Sequence, residues 1–189
     1  SPDGKRIAFI SNRSGTPQVW LVDSAGEGAK QITQTTDPVG SLAWSPVDDT
    51  IAYDVARGGG YNAQVFLSRP DGTEVRRITS GGKEDNFIGA FAPDGRFWFR
   101  SNLRDPQAPD SWIYEPRSGK AAIAIKYDGL GGINDIERPG NRALISRVVT
   151  RGNTNLLLHV LDSGKEILLT PHEGAAIAFA DGDAGQFAR

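Results

Sequence analysis

His159 and His172 are the only imidazoles in the chain, and it contains no cysteine, so proton transfer and thiolate chemistry near neutral pH rest on two residues. A serine nucleophile would need Gly-x-Ser-x-Gly, whose small flanking residues allow a strained turn that exposes the hydroxyl. That pattern is absent. A zinc site is not expected from two histidines thirteen positions apart. "DGDAG" at Asp181 has the alternating carboxylates of a calcium loop but no later bidentate glutamate, and it reads as a turn. "GGGYN" at Gly58 and "GLGG" at Gly129 open no helix that could cradle a phosphate. No cofactor is expected. His159 reads as a packed strand residue aligned with Trp20 and Phe66, and His172 as part of a link.

What recurs is arginine. Arg13 in "SNRSG", Arg57 in "VARGGG", Arg104 in "NLRDP" and Arg151 in "VTRGN" return at intervals of 44, 47 and 47 residues. Arginine presents a planar fork of donors suited to carboxylates and peptide carbonyls. With Tyr61 beside the second of them, these residues form the candidate face for docking a substrate or a second domain. The carboxylates Asp37, Glu84, Asp85, Asp128 and Glu173 come from links expected to open on the same side.

The interval belongs to a repeat, and the repeat supplies the elements that position these side chains. "SPDGKRIAF" at Ser1 returns as "SPVDDTIAY" at Ser45, "APDGRFWF" at Ala92, "ERPGNRALI" at Glu137 and "ADGDAGQFA" at Ala180. In phase with it run an apolar pentad ("QVWLV", "QVFLS", "SWIYE", "LLHVL"), a glycine turn and a short run that ends in threonine three times in four. A segment rich in small residues, such as "VGSLAW" or "NFIGAF", precedes the next unit. Four short strand-like segments every 40 to 50 residues, with no helical period, predict an all-β propeller of about four blades of four antiparallel strands. The expected organisation is one partial propeller domain over 1–189, with units 1–44, 45–91, 92–136, 137–179 and the start of a fifth at 180–189. The small-residue segment is the expected innermost strand, where sheets converge on an axis.

The stretch "SPDGKRIAFISNRSGTPQVWLVDSAGEGAKQIT" resembles the propeller repeat of the prolyl oligopeptidase family of serine peptidases, which includes acylaminoacyl and dipeptidyl peptidases. It is also similar to the periplasmic propeller of the Tol system. The first resemblance implies a non-catalytic propeller segment, part of a seven- or eight-bladed ring, that gates peptide substrates for an α/β-hydrolase domain carried elsewhere in a parent chain. The second implies a stand-alone interaction module. No residue here matches the peptidase family's catalytic motifs, so none is assigned a catalytic role.

Charge is balanced, at a formal -2 from 21 basic and 23 acidic residues, which leaves no broad field for nucleic acid or anionic lipid. No apolar run reaches the roughly 18 residues of a membrane span. Nucleic acid and membrane are therefore not expected partners. Self-association through exposed blade edges is expected if the ring is open, whereas pairing of a strand near Ala176 with "RIAFI" would close four blades. With no Met, the chain is expected to lack its native start; cytoplasm and periplasm both stay open as compartments.

Overall fold

The computed structural model describes residues 1–138 and 140–172. The strand expected near Ala176, Glu173, the "DGDAG" turn and the fifth unit lie outside the described residues. β-branched and aromatic residues, punctuated by glycine and proline turns, give short strands that pair with their nearest neighbours in sequence. β1 (Arg6–Ser11), β2 (Gln18–Asp23) and β3 (Lys30–Gln31) form one antiparallel sheet. β4 (Val39–Trp44), β5 (Ile51–Ala56), β6 (Ala63–Ser68) and β7 (Arg76–Arg77) form the second. The third comprises β8 (Asn86–Phe91), β9 (Phe97–Ser101), β10 (Asp110–Glu115) and β11 (Lys120–Ile125). The fourth comprises β12 (Gly131–Ile136), β13 (Arg142–Thr150), β14 (Asn153–Val160) and β15 (Glu166–Leu168). Each sheet is a meander in chain order.

Alternation along the strands gives every inner sheet two apolar faces, and each face packs on the adjacent sheet. Ala8 and Ile10 of β1 meet Ile51, Tyr53 and Val55 of β5 between the first two sheets. Ala52, Val65 and Leu67 meet Phe97, Phe99 and Tyr114 between the second and third. Trp98 meets Ala143 and Ile145 between the third and fourth. Phe97 and Phe99 are almost fully buried, each worth about 1.5–3 kcal/mol of hydrophobic stabilisation.

One cross-strand pair recurs through these layers. Phe9 faces Trp20, Tyr53 faces Phe66, Phe99 faces Trp112 and Ile145 faces Leu157. The middle two are stacked aromatic pairs, with centroids 5.7 and 6.2 Å apart, a geometry that adds to burial alone.

The first strand of each four-stranded sheet carries a register shift, between Val39 and Leu42, Ile88 and Phe91, and Ile133 and Asp135. Such irregularities bend a strand and increase its twist. Gly89 sits within the second of them against the Trp98 carbonyl and ring, where a Cβ would collide. Close backbone approach is therefore the reason for glycine there.

The candidate docking face and its latches

The connections β1–β2, β5–β6, β9–β10 and β13–β14 carry the four recurring arginines, and hydrogen bonds tie three of these hairpins to the links between sheets or to the strand that follows one. The Gly58 amide donates to Asp37 Oδ1 at 3.0 Å. Arg57 Nη1 donates to the Gly81 carbonyl at 3.4 Å, and Arg104 Nη2 to the Tyr127 carbonyl at 2.7 Å. Val39 N donates to the Pro17 carbonyl at 2.9 Å. Hairpins and links therefore share one face.

The arginines on that face do not share one role. The Arg13 guanidinium lies over the Phe9 and Trp20 rings, 5.1 and 4.9 Å from their centroids, a cation–π arrangement. Arg57 lies in a single 3-10 turn, Arg57–Gly59, whose Gly58 has φ 66°. Tyr61, 87% exposed, projects from the same hairpin. Arg104 grips Asp110 with both arms, Nε to Oδ2 at 2.6 Å and Nη2 to Oδ1 at 2.8 Å. Arg151 is exposed at the tip of the last hairpin. All five residues are exposed.

Sequence reasoning missed a second repeated device, a latch at the start of the third strand of the unit. Gln18 Oε1 accepts from the Thr33 hydroxyl at 2.7 Å, and that hydroxyl accepts from Val19 N at 2.9 Å. Gln64 repeats this with Thr79 at 2.7 Å and Val65 N at 3.1 Å. In the fourth sheet Thr170 Oγ1 accepts from Leu156 N, while Asn155 Oδ1 lies 3.1 Å from His172 Nε2. The threonine-ended run is the sequence signal. It marks a hydroxyl that joins two strands where their ladder ends, satisfying buried polar groups that would otherwise be costly.

The third sheet breaks the pattern instructively. Lys126 stands where the others have threonine, so Asp110 takes the latch alone: its Oδ1 accepts from Tyr127 N at 3.0 Å, and its carboxylate recruits Arg104. Asp110 is fully buried. Burial opposes its ionisation, but the Arg104 bonds and the Tyr127 amide outweigh it and hold the carboxyl below the usual aspartate range.

These latches correct the phase of two pentads. Aligned on the latch, "QVWLV" and "QVFLS" match "DSWIY" and "NLLLH", so Leu157 rather than His159 corresponds to Trp20 and Phe66. An unbroken apolar run such as "NLLLHVL" carries no internal mark of phase; the polar residue at its start does. His159 is buried, and its Nδ1 lies 2.9 Å from Glu166 Oε1. Burial works against the Glu166 charge, and His159 with Arg147 more than offsets it, lowering the Glu166 pKa.

The link carboxylates also diverge. Glu84 is buried, whereas Asp128 is exposed. Asp54, buried in β5, accepts from the Gly40 and Ser41 amides at 3.0 and 2.8 Å. Burial, with a smaller contribution from the nearby Asp85 charge, raises its pKa. Among the described residues no group of three or more His, Cys, Asp or Glu side chains converges to hold a metal ion, and no helix is long and apolar enough to cross a membrane.

No family model matches the chain. Solved structures with the same arrangement of sheets include TolB from Acinetobacter baumannii, with TM-score 0.67 and 20% identity over 90% of this chain and 42% of that one. An oligogalacturonate lyase in complex with manganese superposes at TM-score 0.71 with 15% identity, over 93% of this chain and 52% of that one. A prolyl endopeptidase superposes at 0.66 with 14% identity, over 90% and 29%. The chain is a run of β-propeller blades.

Two curated relatives agree with both resemblances read from the repeats. An uncharacterized peptidase, YuxL, of Bacillus subtilis is 27% identical over 141 residues, 56% of this chain and 21% of its own. A TolB homolog of Chlorobaculum tepidum is 35% identical over 82 residues, 43% of this chain and 18% of its own. The matches thus span about a fifth of each curated relative's length. The blades are similar to those of both groups, and the structural likeness at this identity carries the fold alone.

Proposed function

We propose that these blades are a non-catalytic segment of a longer serine peptidase, gating or docking peptide substrates for an α/β-hydrolase domain of the same parent chain. The observation that supports this most is the 27% identity to the Bacillus peptidase, which runs over more of this chain than the TolB match does. On this reading the blade scaffold holds the hairpin face rigid, and selectivity comes from loops at its rim rather than from a nucleophile. Arg13, Arg57, Tyr61, Arg104 and Arg151 are the docking residues, with Arg104 already engaged by Asp110 and therefore a shaping residue as much as a contacting one. Self-association through exposed blade edges belongs to the same proposal.

The test is the parent protein itself, assayed on peptide anilides of increasing length. Alanine at Arg57, Tyr61 and Arg151 together is expected to raise KM for long peptides by about tenfold while leaving a dipeptide anilide unchanged. Equal effects on both lengths, or a parent chain without a serine-elbow domain, would reject the gating role. A second reading, an interaction module like TolB, is favoured by the higher identity of that match. It predicts a parent chain without peptidase activity.

A further inference from the structure

An aspartate followed by glycine is chemically prone to rearrange, because glycine has no Cβ to keep its nitrogen away from the aspartate side-chain carbonyl carbon. The step occurs at Asp3, Asp71, Asp94, Asp128 and Asp181, the last outside the described residues. The first three are built alike. Asp3 Oδ1 accepts from the Ser1 hydroxyl at 2.7 Å and from Lys5 N at 3.1 Å. Asp71 Oδ1 accepts from the Thr73 hydroxyl at 2.6 Å and from Thr73 N at 2.9 Å. Asp94 accepts from Arg96 N at 3.1 Å and from Arg96 Nε at 2.8 Å. The glycine that follows closes each turn: Gly4 N donates to the Ser1 carbonyl at 3.0 Å, Gly72 N to Arg69 at 3.0 Å and Gly95 N to Ala92 at 2.9 Å. Both reacting groups are thus held, and the glycines share positive φ values of 69°, 87° and 88°.

Asp128–Gly129, in the link from β11 to β12, has none of this. Asp128 is exposed, Gly129 lacks the positive φ, and a Cβ placed on Gly129 would meet no atom within 4 Å. Among the described residues neither the Asp128 carboxylate nor Gly129 N has a hydrogen-bond partner. The Asp128 charge acts on Arg104 through space, behind the Asp110 hydrogen bond in strength. The residues on either side are fixed: the Tyr127 carbonyl accepts from Arg104 Nη2 at 2.7 Å, and the Leu130 carbonyl from Val148 N at 2.9 Å.

We propose that Asp128–Gly129 is a self-modification site, at which the folded protein forms isoaspartate. Gly129 N attacks Asp128 Cγ, one water leaves, and a five-membered succinimide closes. Water then reopens the ring. Attack at the Asp128 main-chain carbonyl carbon breaks its bond to Gly129 N and leaves the chain running through the side chain; attack at Cγ restores aspartate. One water departs and one returns, so no oxidant or other reactant is needed. The product lengthens the main chain by one C–C bond, about 1.5 Å, between two anchored carbonyls, and the Arg104–Tyr127 hydrogen bond is the contact that must yield. This inference stands apart from the function proposed above.

The experiment ages the 189-residue protein at neutral pH and physiological temperature, then maps isoaspartate by tryptic digestion and enzymatic isoaspartyl methylation. Isoaspartate is expected on the peptide that begins at Tyr127 about tenfold faster than on those carrying Asp3, Asp71 and Asp94, because held groups react only through local opening. In urea the four rates should converge. Gly129→Ala, whose added methyl has open space in the fold, should slow the reaction about tenfold by hindering the attack. The aged protein should melt below Gly129→Ala aged in parallel. Equal rates at the four sites in the folded protein, a faster rate at any of the other three, or undiminished isoaspartate in Gly129→Ala would overturn the assignment; equal melting temperatures would overturn the strain placed on the Arg104 contact.

Discussion

The hairpins after β1 and β9 stand at the same point of the repeat, each with one arginine, and the two arginines are held by different forces. In the first blade, Phe9 and Trp20 are half-buried, and the Arg13 guanidinium lies over both rings. In the third blade, the equivalent pair, Phe99 and Trp112, is packed in the layer shared with the second blade. There Arg104 turns instead to the buried carboxylate of Asp110. Equivalence in the repeat sets where an arginine stands. Its neighbours, a half-buried aromatic pair in one case and a buried charge in the other, set what it does.

This contrast can be sharpened by substitution. The largest effect is expected at the aromatic pair: Phe99→Ala should lower unfolding free energy by about 4 kcal/mol, the usual cost of emptying a core aromatic site. Phe9→Ala, at a half-buried position, should cost less than half as much, and equal urea-midpoint losses would erase the distinction between the two sites.

Next comes the latch. Asp110→Ala removes a buried acceptor of charged and amide hydrogen bonds, and about 3 kcal/mol of stability should go with it. Arg104→Ala should lower the melting temperature clearly more than Arg13→Ala, because only the former strands a buried charge.

Acid provides a third comparison. The folded pKa of Asp110 lies below its unfolded value of about 3.9, so its contribution is complete above that value and is lost as pH falls through the folded one. Urea midpoints of the parent protein should therefore drop below about pH 4, and those of Asp110→Asn should drop less steeply.

Asp54 has the opposite sign. Its folded pKa is raised by burial, so its ionisation opposes folding once the pH passes the unfolded value. Asp54→Asn keeps an oxygen for the Gly40 and Ser41 amides and should stabilise the protein at pH 7 by about 1 kcal/mol. That gain should fade in acid, where both forms are neutral; a gain equal at pH 3 and pH 7 would mean that charge is not its cause.

The smallest effect is expected at the exposed tip. Arg151→Ala should leave stability within about 0.5 kcal/mol of the parent, so any change it makes in peptide binding would be read without a folding correction.

The period, the strand composition and the turn glycines were all legible in one sequence, because each is set by local backbone preference and by alternation along a strand. The all-β propeller followed from them. The recurrence of Arg13, Arg57, Arg104 and Arg151 was legible too, since it follows the repeat. The phase of β14 was not: in "NLLLHVL" only the latch partner Thr170 marks Asn155 as the strand's start, and that partner is fixed by pairing with β15. Nor could sequence tell that Arg104 is bound while Tyr61 is free, or that Glu84 is buried between blades while Asp128 remains in solvent. Those distinctions depend on which residues from units some 45 positions apart come to face one another, and on the burial that results. Periodicity along the chain prescribes the blade; desolvation between blades decides which polar groups are structural and which remain available to bind.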